Sequence, residues 1–269
     1  MRTSQLLYLF YRRMRVLLVF SGFILMYMIY TNKFIPMFFL IALGFSFIEL
    51  SAAFYNDFWD YKEDVKSGRK DKWTTTGIAS PKTMRNVSFL ILIIAFVLLW
   101  FTDYVILIIA VYYSLLGIFY SHPKVRLKRY NIKAYVLGGS IWILILVYLE
   151  IILQKTFFTD IFLILFCFFQ TVYLVCQKDS SDIKDDTNLF LARGWKNASL
   201  ICMVFAISSS LCLFVIVTPF PSLFWLWGLN TIFKIFTLKK IYKKEMTRSI
   251  RMKTSSIELF TPYLFFIMF

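Results

Sequence analysis

The sequence predicts an all-α integral membrane protein with nine transmembrane helices in a single domain, residues 1–269. Two observations carry that prediction. The chain is 59% apolar with a mean hydropathy of +0.70, above what water-soluble domains of this length sustain. Its apolar residues also fall in runs near the roughly 20 residues a helix needs to cross about 30 Å of hydrocarbon. Those runs place spans near 15–31, 35–55, 86–102, 104–120, 134–153, 157–178, 197–217, 219–237 and 255–269. The basic flank and apolar run at the start resemble a secretion signal, but no small-residue cleavage site follows, so the segment reads as the first retained helix. Pro262 interrupts the last run.

Charge separates the connections into two kinds. Arg2, Arg12, Arg13 and Arg15 precede the first span. Lys62, Lys66, Arg69, Lys70, Lys72, Lys82 and Arg85 follow the second; Lys124, Arg126, Lys128, Arg129 and Lys133 follow the fourth. Another basic run, Lys239 to Lys253, follows the eighth, whereas the opposite connections hold little beyond Lys33 and Lys155. By the positive-inside rule, the N-terminus and the even-to-odd connections are cytoplasmic, in a multi-pass protein expected in the cell inner membrane. The same rule accounts for the formal charge of +15 without nucleic acid as a partner. Cys167, Cys176, Cys202 and Cys212 lie in or beside apolar runs without a CxxC pair, so neither a zinc site nor a disulfide framework is indicated.

Two carboxylate clusters share one spacing. Asn56-Asp57-Phe58-Trp59-Asp60-Tyr61-Lys62-Glu63-Asp64 and Lys178-Asp179-Ser180-Ser181-Asp182-Ile183-Lys184-Asp185-Asp186 both read DxxDxxxD, each at the cytoplasmic end of an even-numbered span. Internal duplication of a four-helix unit and a shared chemical demand both explain the match. Positions i, i+3 and i+7 share one helix face. Three carboxylates there repel, and the helix C-terminal dipole adds to the penalty unless cations compensate. Magnesium takes oxygen ligands and is commonly held by one or two carboxylates plus substrate phosphates. The pattern therefore suits a metal-bound diphosphate. A third element, Tyr120-Ser121-His122-Pro123-Lys124-Val125-Arg126-Leu127-Lys128, adds Arg126 and Lys128, cations suited to phosphate oxygens.

Together the three elements resemble the UbiA superfamily of intramembrane prenyltransferases. The first cluster is similar to its NDxxDxxxD motif at Asn56, Asp57, Asp60 and Asp64. The second is similar to its KDxxDxxxD motif at Lys178, Asp179, Asp182 and Asp186. The loop run is similar to its YSxPPxRLK motif at Tyr120, Ser121, Pro123, Arg126, Leu127 and Lys128. The resemblance implies a nine-helix UbiA-type bundle with a lateral lipid-facing cavity and cytoplasmic cap loops. It implies magnesium held by Asp57, Asp60, Asp64, Asp179, Asp182 and Asp186, and diphosphate bound by Asn56, Arg126, Lys128 and Lys178 with Arg15. The implied reaction transfers a prenyl group from a prenyl diphosphate to a lipophilic acceptor, aromatic or isoprenoid, with release of pyrophosphate. Asp60, Asp182, Lys128 and Tyr120 are the residues most directly implicated in catalysis, and His122, the only histidine, is the candidate base. Phe58, Trp59, Tyr61 and Tyr120 are candidates to face an allylic cation.

The chain departs from the pattern at three places. Lys124 stands at the second proline of the loop motif, Thr187-Asn188-Leu189 follows Asp186, and Lys72-Trp73-Thr74 replaces the Arg-Pro expected after the first cluster. The second departure keeps open a UbiA-type terpene cyclase that uses no acceptor. A secondary cation transporter is the remote alternative, disfavoured because both clusters sit at helix ends and not at the bilayer midplane.

Overall fold

The computed structural model describes residues 17–18, 20–66, 68–69, 72–154, 160–181 and 189–267. Among them every regular element is helical. The chain divides into two compact units, Met1–Leu127 and Lys128–Phe269.

In the first unit a short apolar helix α1, Phe20–Tyr30, precedes α2, Pro36–Trp59, then α3, Tyr61–Lys66, α4, Pro81–Trp100, and α5, Tyr104–Ser121. Their starts follow local chemistry. Proline at the first helical position presets α2 and α4. Ser80 Oγ accepts the Thr83 amide at 3.0 Å, and Asp103 Oδ1 accepts the Val105 amide at 2.8 Å, capping α4 and α5.

Helix α2 is the unit's centre, and small residues let its neighbours approach. A Cβ on Gly44 would overlap the Leu99 side chain of α4, and one on Gly117 of α5 would press Ala52. Close approach at small residues is the usual device for packing helices in lipid, where no hydrophobic force drives them together. Ser51 and Ser88 then lock α2 to α4, each hydroxyl donating to the other's carbonyl at 2.9 Å. The outer face of α4 is apolar and exposed, with Phe89, Leu90, Ile93, Ile94, Val97 and Trp100 uncovered. On a water-soluble protein that face would be a large apolar patch; on a membrane helix it faces lipid.

In the second unit α6, Ile132–Ile152, and α7, Ile161–Ser181, are followed by a short α8, Leu189–Arg193. Three longer helices complete it: α9, Trp195–Val217, α10, Phe224–Tyr242, and α11, Arg248–Ile267. Gly139 on α6 seats against Phe168 and Val172 of α7. Indole donors tie α9 to α10: Trp195 Nε1 to the Ile241 carbonyl at 2.7 Å and Trp227 Nε1 to the Ser210 carbonyl at 3.1 Å.

Six helices are long and apolar enough to cross a membrane among the described residues: α2, α4, α5, α6, α7 and α9. The chain is thus an integral, multi-pass membrane protein. The expected eighth and ninth spans are differently built. Helix α10 starts at Phe224, and α11 starts at Arg248, well before the predicted position, and runs through Pro262. Both contain ionisable residues within their length, which lowers their apolar character.

Candidate functional site

The first carboxylate cluster sits where α2 ends. Asp60 closes the helix, its amide bonded to the Asn56 carbonyl, and α3 resumes after a single non-helical residue, with the Asp64 amide on the Asp60 carbonyl at 2.8 Å. The register across this joint is nearly helical, so Asp57 and Asp64 converge. Both are buried, at 1% and 3% exposure.

What they converge on is Lys72. Its ammonium lies 3.2 Å from Asp57 Oδ1 and 2.5 Å from Asp64 Oδ2, while Arg69 reaches the other Asp64 oxygen at 3.2 Å. The loop after α3 folds back to deliver the lysine. The Lys72 carbonyl accepts the Thr76 amide and the Thr75 and Thr76 hydroxyls. Trp73 packs edge-on against Phe54, with ring centroids 6.0 Å apart, and Thr74 is buried. Burial pushes the Lys72 ammonium below the ordinary lysine range, and the neighbouring Asp64 and Asp60 carboxylates pull it back up. Sequence reasoning placed Lys72 among the loop cations and as a departure from a motif; the structure makes it a counterion of the cluster.

The loop motif joins the same unit's cluster at two points. Ser121 donates to Asn56 Oδ1 at 2.8 Å. Arg126, at a positive φ of 43°, forms a two-oxygen fork with Glu63 at 2.6 Å to each oxygen. His122 lies edge-on to Trp59 at 5.2 Å, and its Nδ1 accepts the Lys124 amide at 3.4 Å. Tyr120 is half-buried near the end of α5. Arg85 of α4 lies over the Phe58 ring at 5.6 Å.

In the second unit Asp179 is half-buried near the end of α7, and its Oδ2 accepts from the Tyr135 hydroxyl of α6 and from the Leu189 amide that opens α8 at 2.9 Å. Lys178 is exposed, and Lys128 is 5% exposed on the 3-10 turn Leu127–Tyr130. Asp182, Asp186 and Arg15 lie outside the described residues.

Among the described residues no group of three or more His, Cys, Asp or Glu is placed to hold a metal ion. The first cluster nevertheless suits a divalent cation. Two buried carboxylates already close on the Lys72 ammonium, and their donors are oxygens, the ligand type magnesium prefers.

The model of the UbiA prenyltransferase family matches residues 7–258. A solved structure from work on digeranylgeranylglyceryl phosphate synthase in membranes is similar in fold, with a TM-score of 0.53 and 19% identity. The match covers 96% of this chain and 100% of that one. No curated relative matches the sequence.

Proposed function

From the premise that the chain belongs to the UbiA prenyltransferase family and is a UbiA-type prenyltransferase, we propose that it transfers a prenyl group from a prenyl diphosphate to a lipophilic acceptor. The acceptor is aromatic or isoprenoid, and pyrophosphate leaves. The observation supporting this reading is the pair of buried aspartates, Asp57 and Asp64, drawn together around the Lys72 ammonium with Arg69 beside Asp64. A membrane helix does not keep such a pair without a charge to balance it.

Asp57, Asp60 and Asp64 of the first motif and Asp179, Asp182 and Asp186 of the second would hold magnesium. Magnesium bound there would supply charge neutralisation for the departing diphosphate. The chain's own residues do the rest. Before substrate arrives, Lys72 holds Asp57 and Asp64 together and keeps their repulsion from opening the end of α2. Arg126 exchanges its fork with Glu63 for diphosphate oxygens, a change of partner that keeps both charge-assisted bonds. Lys128, Lys178, Asn56 and Arg15 bind the remaining oxygens. Preorganised positive charge of this kind acts where negative charge develops in the transition state. Tyr120, Phe58, Trp59 and Tyr61 present ring faces to the allylic cation, each contact worth roughly 0.5–2 kcal/mol. His122 accepts the acceptor's proton, and cytoplasmic cap loops in a nine-helix bundle exclude water.

The test is a product assay. Membranes carrying the protein are incubated with a panel of prenyl diphosphates, with magnesium or a chelator, and with or without a lipid extract. Prenylated product that needs both magnesium and the extract supports the proposal. A hydrocarbon formed without any acceptor overturns it in favour of cyclisation.

A further inference from the structure

Three helices of the second unit each carry a stripe of buried polar residues at heptad spacing. On α7 they are Gln170, Tyr173 and Gln177; on α10, Asn230, Lys234 and Thr237; on α11, Thr254, Glu258 and Thr261. Each set repeats at i, i+3 or i+4, and i+7, so each lies on one helix face. All nine side chains are 3% exposed or less.

The stripes meet in three rungs. At one end Asn230 donates to Thr261 Oγ1 at 3.0 Å; at the other Gln177 donates to Thr254 Oγ1 at 2.9 Å. Between them lies a charge pair. The Lys234 ammonium donates to Ser209 Oγ of α9 at 2.7 Å and sits 5.9 Å from the Phe166 and Tyr173 ring centres. Glu258 accepts from the Tyr173 hydroxyl at 3.4 Å and interacts electrostatically with Lys234. Gln170 lies against Glu258, and Thr237 against Tyr173.

Lipid-facing residues flank the stripe on α10, with Ile232 and Ile235 exposed at 63% and 61%. The ladder is therefore interior to the unit. From Thr254 to Thr261 it rises about 10 Å along the helix axis, and it starts two residues from Asp179 on α7.

Hydrogen bonding along the ladder is incomplete. Gln177 Oε1 and Asn230 Oδ1 are buried and have no hydrogen-bond partner among the described residues. A buried amide oxygen left in this state is costly, and in native proteins a water ordinarily fills the gap. These two oxygens stand in the two end rungs, on either side of the charge pair. Ionisable residues within membrane bundles are rare, costly to bury and generally functional.

We propose that this ladder is an internal site for water and one exchangeable proton, shared between Lys234 and Glu258. Water bonded to Gln177 Oε1 and Asn230 Oδ1 completes the end rungs. The proton moves from the Lys234 ammonium, through the Tyr173 hydroxyl or a bound water, to a Glu258 oxygen. It leaves a neutral amine and a neutral acid. The net charge of the pair is zero before and after, so the move creates no unbalanced charge in the low-dielectric interior. The titratable groups facing the pair are Tyr173 from α7 and Cys212 from α9, with Cys202 of α9 beside Tyr173. The site is independent of whether the aspartate motifs bind magnesium.

Infrared difference spectra of the full-length purified protein in normal and heavy water test it. The expected result is a deuterium-sensitive carboxylic-acid band that is lost in Glu258→Gln and shifted in Lys234→Met. A spectrum unchanged by Glu258→Gln overturns it. If a single variant does not fold, Lys234→Met/Glu258→Gln, which removes both charges together, carries the same comparison.

Discussion

Replacing Lys72 by methionine keeps most of the side chain's volume and removes its charge. The structure sets the expected size of the effect. Lys72 is 3% exposed and its carboxylate partners 1% and 4%, so the pair lies away from solvent screening. Breaking a buried ion pair from one side typically costs about 3–5 kcal/mol, because the remaining charge stays buried without compensation. Arg69 stays 3.2 Å from Asp64 and relieves part of that, which puts the expected loss near the low end, about 3 kcal/mol. That is roughly a hundredfold in the folding equilibrium. Magnesium should repair the defect. A ligand present at about 100 times its dissociation constant stabilises the native state by about 2.7 kcal/mol. In the parent protein magnesium must first displace the lysine, so it stabilises less. The assay is denaturation in mixed micelles followed by tryptophan fluorescence, with chelator and then with magnesium. The variant should be the weaker protein in chelator and should close most of the gap in magnesium. If Lys72→Met is as stable as the parent in chelator, or gains no more from magnesium than the parent does, the counterion argument is wrong.

Arg126→Ala should change stability little, since Glu63 is 53% exposed and exposed pairs contribute about 0–1 kcal/mol. Its KM for prenyl diphosphate should rise about tenfold, the loss of one charge-assisted contact; an unchanged KM would remove Arg126 from the diphosphate site. Gly44→Val should destabilise the first unit by about 1–3 kcal/mol, because the added methyls overlap Leu99; unfolding of the purified variant checks it. Asp60→Ala and Asp182→Ala should each reduce turnover to background while membrane insertion, followed by protease protection, stays normal.

Much of the fold was legible because lipid imposes a simple rule on sequence: long apolar runs become helices. The runs that became α2, α4, α5, α6, α7 and α9 needed nothing more. Helices α10 and α11 were harder to bound. Their polar stripes face inward within the unit, where Asn230 bonds Thr261 and Gln177 of α7 bonds Thr254, and a hydropathy window reads such residues only as a penalty. Lone charges inside apolar runs were the available signal.

The site divides in the same way. The DxxDxxxD spacing was visible because helical periodicity is local. Lys72 was not visible as a counterion, because its position depends on a loop folding back through Trp73 and Thr76. Neither was the bond from Tyr135 to Asp179, which joins α6 to the end of α7.

Calorimetric titration of an unreactive prenyl thiolodiphosphate into the purified protein, with and without magnesium, probes the proposed chemistry at its source. Magnesium-dependent binding in the parent, lost in both Asp60→Ala and Asp182→Ala, is the predicted result. Equal binding without magnesium, or binding retained by either variant, would contradict the assignment of these aspartates as the ions' ligands.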